Sequence, residues 1–325
     1  MSVRAIIAST PLDDFLNDTR STDTGELLQR LGLFGSLFGV TLALGLLVFL
    51  VVVHRGSRAE VAVLLRLVAV AGGATLLGAA VELAGVASLG DLSWSEALTD
   101  DTGSAAMMRL LAGLLVVLGL FDHSAPADDT GTDQSDGDGD GDGDVRWVPA
   151  SASAFGFVGV ALGVLSFWFD GHTVTRGPRV IHAVVDLVHV TAGGVWFGGI
   201  VGLCAVAVLR RGRTVAPLLL RFSPVASAAL VLVALAGALM TLMVIDGFDD
   251  LTGTEWGRLL LIKVAAVGAT ALVGAYNHFV VVPVLDASPA NGDMGARARV
   301  AVVVEAALLA FVVAVTVFLT GASIS

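Results

Sequence analysis

The run "LGLFGSLFGVTLALGLLVFLVVV", residues 31–53, holds no charged side chain. At about 1.5 Å per residue such a helix is long enough to cross the ~30 Å hydrocarbon layer of a bilayer. Comparable apolar runs recur at 61–87, 105–121, 150–169, 179–209, 222–246, 257–282 and 300–320. In hydrocarbon every backbone N–H and C=O must be bonded inside the protein, which leaves only helices or closed barrels. The alternating ten-residue strands of a barrel are not found. The prediction is therefore all-α: a polytopic integral membrane bundle of about eight transmembrane helices in two four-helix halves. A mean hydropathy of +0.87, with 56% hydrophobic and 14% charged residues, agrees with that and excludes an ordinary soluble domain.

The few charges are distributed unevenly. Arg55, Arg58, Arg146, Arg210, Arg211, Arg213, Arg221, Arg297 and Arg299 fall in alternate loops, whereas Asp91, Glu96, Asp100, Asp101, Asp246, Asp249, Asp250 and Glu255 fall in the others. The positive-inside rule then predicts arginine-bearing loops in the cytoplasm and both termini outside the plasma membrane. Residues 1–30 lack the basic start and apolar core of a cleavable signal, so an outer N-terminal tail is expected to be retained. The net charge is −11 and Lys263 is the sole lysine, a balance that suits a halophilic source. Neither feature offers a surface for nucleic acid. The single cysteine, Cys204, excludes an internal disulfide framework and reads as a small buried thiol.

Residues 122–149 include "DDTGTDQSDGDGDGDGDV", a stretch with nothing to bury. A disordered cytoplasmic loop is expected there. Its Asp/Gly alternation lacks the twelfth-position Glu of a calcium-binding EF-hand loop.

The most informative segment is "VDLVHVTAGGVWFGGI", residues 185–200. At 100° per residue His182, Asp186, His189, Gly193 and Trp196 share one face, while Gly194, Gly198 and Gly202 line another. Small residues at four-residue spacing let membrane helices approach closely. Ionisable groups at such depth cost a few kcal/mol, so they pair, bind an ion or line a wet cavity. Other donors are expected at the same outer end: Met240 and Met243, Met107 and Met108, Glu82, and His172 in "FDGHTVTRGP". Imidazole with thioether suits copper, Cu(I) above all, although methionine also serves as apolar filler. Near the cytoplasmic end stand Tyr276, Asn277, His278 and Glu305; Glu305 either pairs with Arg297 or Arg299 or lines an exit. Lys263 is expected to snorkel to the interface.

The segment 185–200 resembles the signature helix of the CopD family of copper resistance membrane proteins, with Asp186, His189, Trp196, Gly198 and Gly199 at the matching positions. The resemblance continues through "GH" (Gly171, His172), "RFSPVASAALVLVALAG", "GRLLLIKVAAVGATALVGAYNHFVVVP" and "VVVEAALLAFVVAVTVFLT". It covers about residues 170–320 and implies a first membrane part at 31–121 and a CopD-like membrane domain at 150–325. It also implies copper, as Cu(I) or Cu(II), as the bound metal. The implied activity is copper movement or resistance rather than catalysis. Family members sometimes carry a soluble copper-binding domain outside, so a separate extracytoplasmic copper-binding partner is expected here. His278 stands where relatives have a basic residue.

The expected site is His172, His182, His189, Met240 and Met243 as ligands, with Asp186 orienting a histidine. Trp196, Glu82, Met107, Met108, Asn277 and Glu305 are expected to line the pathway. No nucleotide-binding GxxxxGK[ST] loop and no spaced nucleophile–His–Asp set occurs. Two other readings stay open at this level: a haem-binding membrane electron carrier of the cytochrome b type, and a membrane assembly subunit without ligand.

Overall fold

The computed structural model describes residues 11–89, 93–99, 101–119, 146–149, 153–169, 179–210, 215–245, 247–288 and 292–320. His172 and nearly all of the Asp/Gly-rich loop lie outside the described residues. Among those described, every regular element is helical. Helix α1 (Pro11–Val48) runs into a π-helical turn (Phe49–Val53) and is followed by α2 (Arg58–Leu89), the short α3 (Trp94–Thr99) and α4 (Asp101–Leu118). Next come α5 (Ser153–Leu165) with a 3₁₀ turn (Ser166–Phe169), α6 (Arg179–Leu209), α7 (Ala216–Val244) and the single turn α8 (Asp250–Gly253). Helix α9 (Glu255–Tyr276) continues through a second π turn (Asn277–Val281) into α10 (Val282–Ala287), and α11 (Gly292–Thr320) is the last described helix.

Among the described residues, six stretches are long and apolar enough to cross a membrane: Thr24–Val53, Arg58–Leu89, Val180–Leu209, Ala216–Val244, Glu255–Leu285 and Asp293–Thr316. Two shorter apolar helices, Thr102–Leu118 and Ala154–Phe169, occupy the third and fourth predicted spans. The protein is thus an all-α polytopic membrane bundle. Two helices begin earlier than the hydropathy pattern suggests. Helix α1 starts at Pro11, inside the expected tail, because proline is well suited to a first helical turn and no breaker follows it. Helix α7 starts at Ala216, with Pro217 in its first turn.

Both π turns have a local cause or mark. At the first, the His54 N–H donates to the Phe49 carbonyl five residues back, 2.8 Å away, and the helix ends. At the second, Val282 N–H donates to Asn277 O, just before Pro283, which has no N–H to continue the α register.

Helix α1 is the common wall of the bundle. Against α2 it runs antiparallel, and the helices are so close that a Cβ on Gly32 would lie 2.2 Å from Glu82 N, and one on Gly78 2.3 Å from Ser36 N. Against α6 it runs parallel: a Cβ on Gly198 would lie 2.6 Å from Gly45 Cα, and one on Gly45 2.2 Å from Gly194 O. Gly202 lies over the ring of Phe49. Lipid tails are as apolar as leucine, so such van der Waals contact between backbones is what holds membrane helices together. Helices α1 and α6 therefore form a close, glycine-lined contact inside the bundle. Leu46, Leu50, Leu64, Leu203 and Leu218 fill the space around them, fully buried. Helices α7 and α9 present Leu242 (66% exposed) and Leu272 (74% exposed) outward, apolar surface that a bilayer covers.

Candidate functional site

The polar stripe of α6 faces away from α1. His182 is buried at 9% exposure, Trp196 is packed in the core, and Asp186 and His189 are half-buried. The ring of His189 is held by α7: its Nδ1 lies 3.1 Å from the Val233 carbonyl. A carbonyl can only accept, so Nδ1 carries the proton and Nε2 keeps a free lone pair. That is the arrangement in which metal-binding imidazoles are commonly fixed. Gly237 makes room for the ring, since a Cβ there would come 3.2 Å from His189 Cε1. His182 Nε2, one end of the stripe, is buried and has no hydrogen-bond partner.

Helices α6 and α7 are antiparallel, with His189 opposite Val233 and Gly237, and Gly199 opposite Phe222. Extending that register brings Met240 between the levels of His182 and Asp186, and Met243 level with His182. Met240 falls within about 20° of Val233 around the helix axis, on the face turned to α6, whereas Met243 lies about 120° from Gly237, at its edge. Both thioethers are half-buried. Lys263 of α9 differs from expectation. It is half-buried and within electrostatic range of both Asp186 and His189.

Of the other expected donors, Glu82, Met107 and Met108 are on the far side of α1. Glu82, 1% exposed, meets Arg109 of α4, 0% exposed, at 2.6 Å. Ser36 Oγ donates to the same carboxylate at 3.2 Å, and Arg109 Nη1 reaches Ser166 Oγ at 3.4 Å. Glu82 is thus neutralised in a buried network joining α1, α2, α4 and the end of α5. Met107 is exposed and Met108 half-buried on α4, which packs on α2 and α5 rather than on α6 and α7. Sequence reasoning missed Arg109; its signal was a basic residue inside an apolar run one span away from a buried acid.

A second missed cluster closes the opposite end. Arg210 Nε and Nη2 grip Glu60 at 2.8 and 3.0 Å, Arg210 also donates to the Arg55 carbonyl, and His54 Nε2 lies 3.0 Å from Glu60 Oε2. The ends of α1, α2 and α6 are joined there. Burial holds the His54 imidazole below the ordinary histidine range, against the opposing pull of Glu60.

Between these levels, α9 and α11 enclose Asn277 and Glu305, 5% and 3% exposed. The Asn277 amide lies beside the Glu305 carboxyl. Glu305 pairs with neither Arg297 nor Arg299: the arginines precede it by eight and six residues, about 12 and 9 Å along the axis, too far for a shared turn. His278 faces Ser223 Oγ at 2.6 Å, linking the π turn to α7. Among the described residues no three His, Cys, Asp or Glu side chains form a metal-holding cluster. His182 and His189 stand seven residues apart on α6, and Met240 and Met243 belong to α7, which packs against it.

Comparison with known proteins matches residues 216–319, from the start of α7 to the end of α11, to the family model described as copper resistance protein D. The α6 stripe lies just outside that match. Over 117 residues, 34% of the chain, the sequence is 30% identical to the copper transport protein CutJ of Bacillus subtilis (strain 168). The match spans about a fifth, 21%, of that relative's length. No solved structure matches.

Proposed function

We propose, taking residues 216–319 as a copper resistance protein D domain, that the chain is a copper transport or copper homeostasis protein of the plasma membrane. It binds copper between α6 and α7 and passes it across the bundle. The observation that carries this reading is the fixed His189 ring, whose Nε2 lone pair is left open by the Nδ1 bond to Val233, on the stripe that ends in the unpartnered His182 Nε2. Met240 supplies thioether sulfur from the facing helix, and Met243 and His172 complete the expected donors. Soft sulfur with imidazole favours Cu(I). An open set of two or three donors suits a cargo that must leave again, in contrast to the closed four-ligand shell of a structural metal.

The positive-inside rule orients the bundle with the His182 end and both termini outside and the Arg210 end in the cytoplasm. In that orientation copper enters at His182, and a separate extracytoplasmic copper-binding protein is the expected donor or acceptor. Asp186 and Lys263 lie beside the path, where the carboxylate offsets a cation's charge in a low-dielectric setting. The role is transport, without catalysis.

Competition for Cu(I) between the purified protein and a coloured chelator tests the site. Wild type is expected to withdraw copper stoichiometrically, and His189→Ala with Met240→Leu to lose at least tenfold in affinity. Undiminished affinity in that double variant refutes the site. A Soret band in the visible spectrum of the purified protein would transfer the histidines to haem instead.

A further inference from the structure

Among the described residues three carboxylates are buried in the bundle, and their surroundings differ. Glu60 is gripped by Arg210 and Glu82 by Arg109. Glu305, equally buried at 3%, has no cationic partner among the described residues; its polar neighbour is the Asn277 amide. An ionised carboxylate without a counter-charge in so dry a place costs several kcal/mol, and a protein avoids that by keeping the group protonated or by bringing a cation to it. The local backbone leaves room for either. Gly274, one turn from Asn277 on α9, lacks the Cβ that would come 2.9 Å from Glu305 Oε1, and Asn277 opens a π turn, a departure from α geometry frequent at functional sites.

The ionisable groups around this point are few. On α9 Lys263 lies three turns away, with Asp186. Tyr276 and His278 flank Asn277 but are exposed, and His278 is engaged by Ser223. Asp286 belongs to α10, a few turns further on. Cys204 is half-buried on α6, and α1 carries no ionisable residue between Arg30 and His54.

We propose that Glu305 is a proton-binding site inside the bundle, carrying an exchangeable proton at neutral pH, and that its release and uptake are coupled to cation movement. The step is RCOOH ⇌ RCOO⁻ + H⁺, with Asn277 donating to the carboxylate when the proton has left. One positive charge departs as one monovalent cation passes, and nothing is oxidised or reduced. The coupling rests on the copper-transport reading; the protonated carboxyl does not.

Infrared spectroscopy of the wild type in lipid nanodiscs tests the proton site directly. A protonated-carboxyl C=O band at pH 7 that disappears in Glu305→Gln and shifts in Glu305→Asp is the expected result. A wild-type spectrum without that band, or one unchanged by either substitution, overturns the proposal. Thermal melting of Glu305→Gln, an isosteric change, verifies that the fold is kept, and the Asp variant gives the same reading if it is not. Vesicles holding a pH-sensitive dye and given a Cu(I) gradient test the coupling. Proton movement opposite to copper in wild type, and its loss in Glu305→Gln, is expected. Copper flux without proton movement would overturn the coupling while leaving copper transport intact. Absence of copper flux would overturn the transport reading, and the coupling with it, while the infrared band still decides the proton site.

Discussion

Removal of the Arg109 guanidinium isolates a single buried charge. The Arg109→Gln change keeps a polar side chain of lesser reach while leaving Glu82, 1% exposed, without the cation that sits 2.6 Å from it. Ser36 Oγ still donates to the carboxylate at 3.2 Å, and a hydroxyl does not balance a full charge. Breaking one side of a buried ion pair costs about 3–5 kcal/mol. At about 1.4 kcal/mol per factor of ten, that is two to nearly four orders of magnitude in the folding equilibrium. The paired substitution Glu82→Gln, Arg109→Gln removes both charges together, and replacing a whole buried pair is often close to neutral. The double variant should therefore be more stable than Arg109→Gln alone. Unfolding in mixed micelles of increasing denaturing detergent, followed by circular dichroism, measures all three proteins and gives the coupling energy. A loss below about 1 kcal/mol in the single variant, or a double variant as unstable as the single, would refute the charge argument.

Three further outcomes follow from packing and burial. Gly198→Ala puts a Cβ 2.6 Å from Gly45 Cα and must push α1 from α6, so a loss of about 1–3 kcal/mol is expected in the same assay. Gly268→Ala, whose new Cβ meets nothing within 4 Å, is expected to be neutral or to gain up to about 1 kcal/mol. His54 titrates lower in the folded protein than unfolded, mainly through burial, so its contribution is present above the ordinary histidine range, near pH 6.5, and is lost as pH falls through the lower native value. The melting temperature should drop as pH is lowered from 7 to 5, and His54→Gln should flatten that slope; an unchanged slope contradicts the assignment.

Much of the fold is legible in single residues and short periods. The apolar run and paired glycines of 179–209 define α6 because helix formation in a bilayer depends on local hydropathy and backbone satisfaction alone. Partner choice is another matter. Glu82 reads as an isolated intramembrane acid until α4 is seen to deliver Arg109, and Lys263 reads as an interfacial residue until α9 is seen to bring it toward Asp186. Nor does the spacing of Glu305 from Arg297 and Arg299 reveal that the carboxyl faces Gly274 of another helix. The methionines divide for the same reason: Met240 belongs to α7, which packs on α6, while Met107 and Met108 belong to α4, which packs on α2 and α5. Periodicity specifies which residues share a face, and only tertiary packing decides what that face meets.

The central claim is movement of copper along the His182 and His189 stripe. Uptake of radioactive copper, presented as Cu(I), into vesicles reconstituted with the pure protein tests it most directly. The account predicts saturable flux well above that of protein-free vesicles, abolished in His182→Ala, His189→Ala while that variant still melts near the wild-type temperature. Flux no greater than the protein-free leak, or full flux in the double variant, would contradict it.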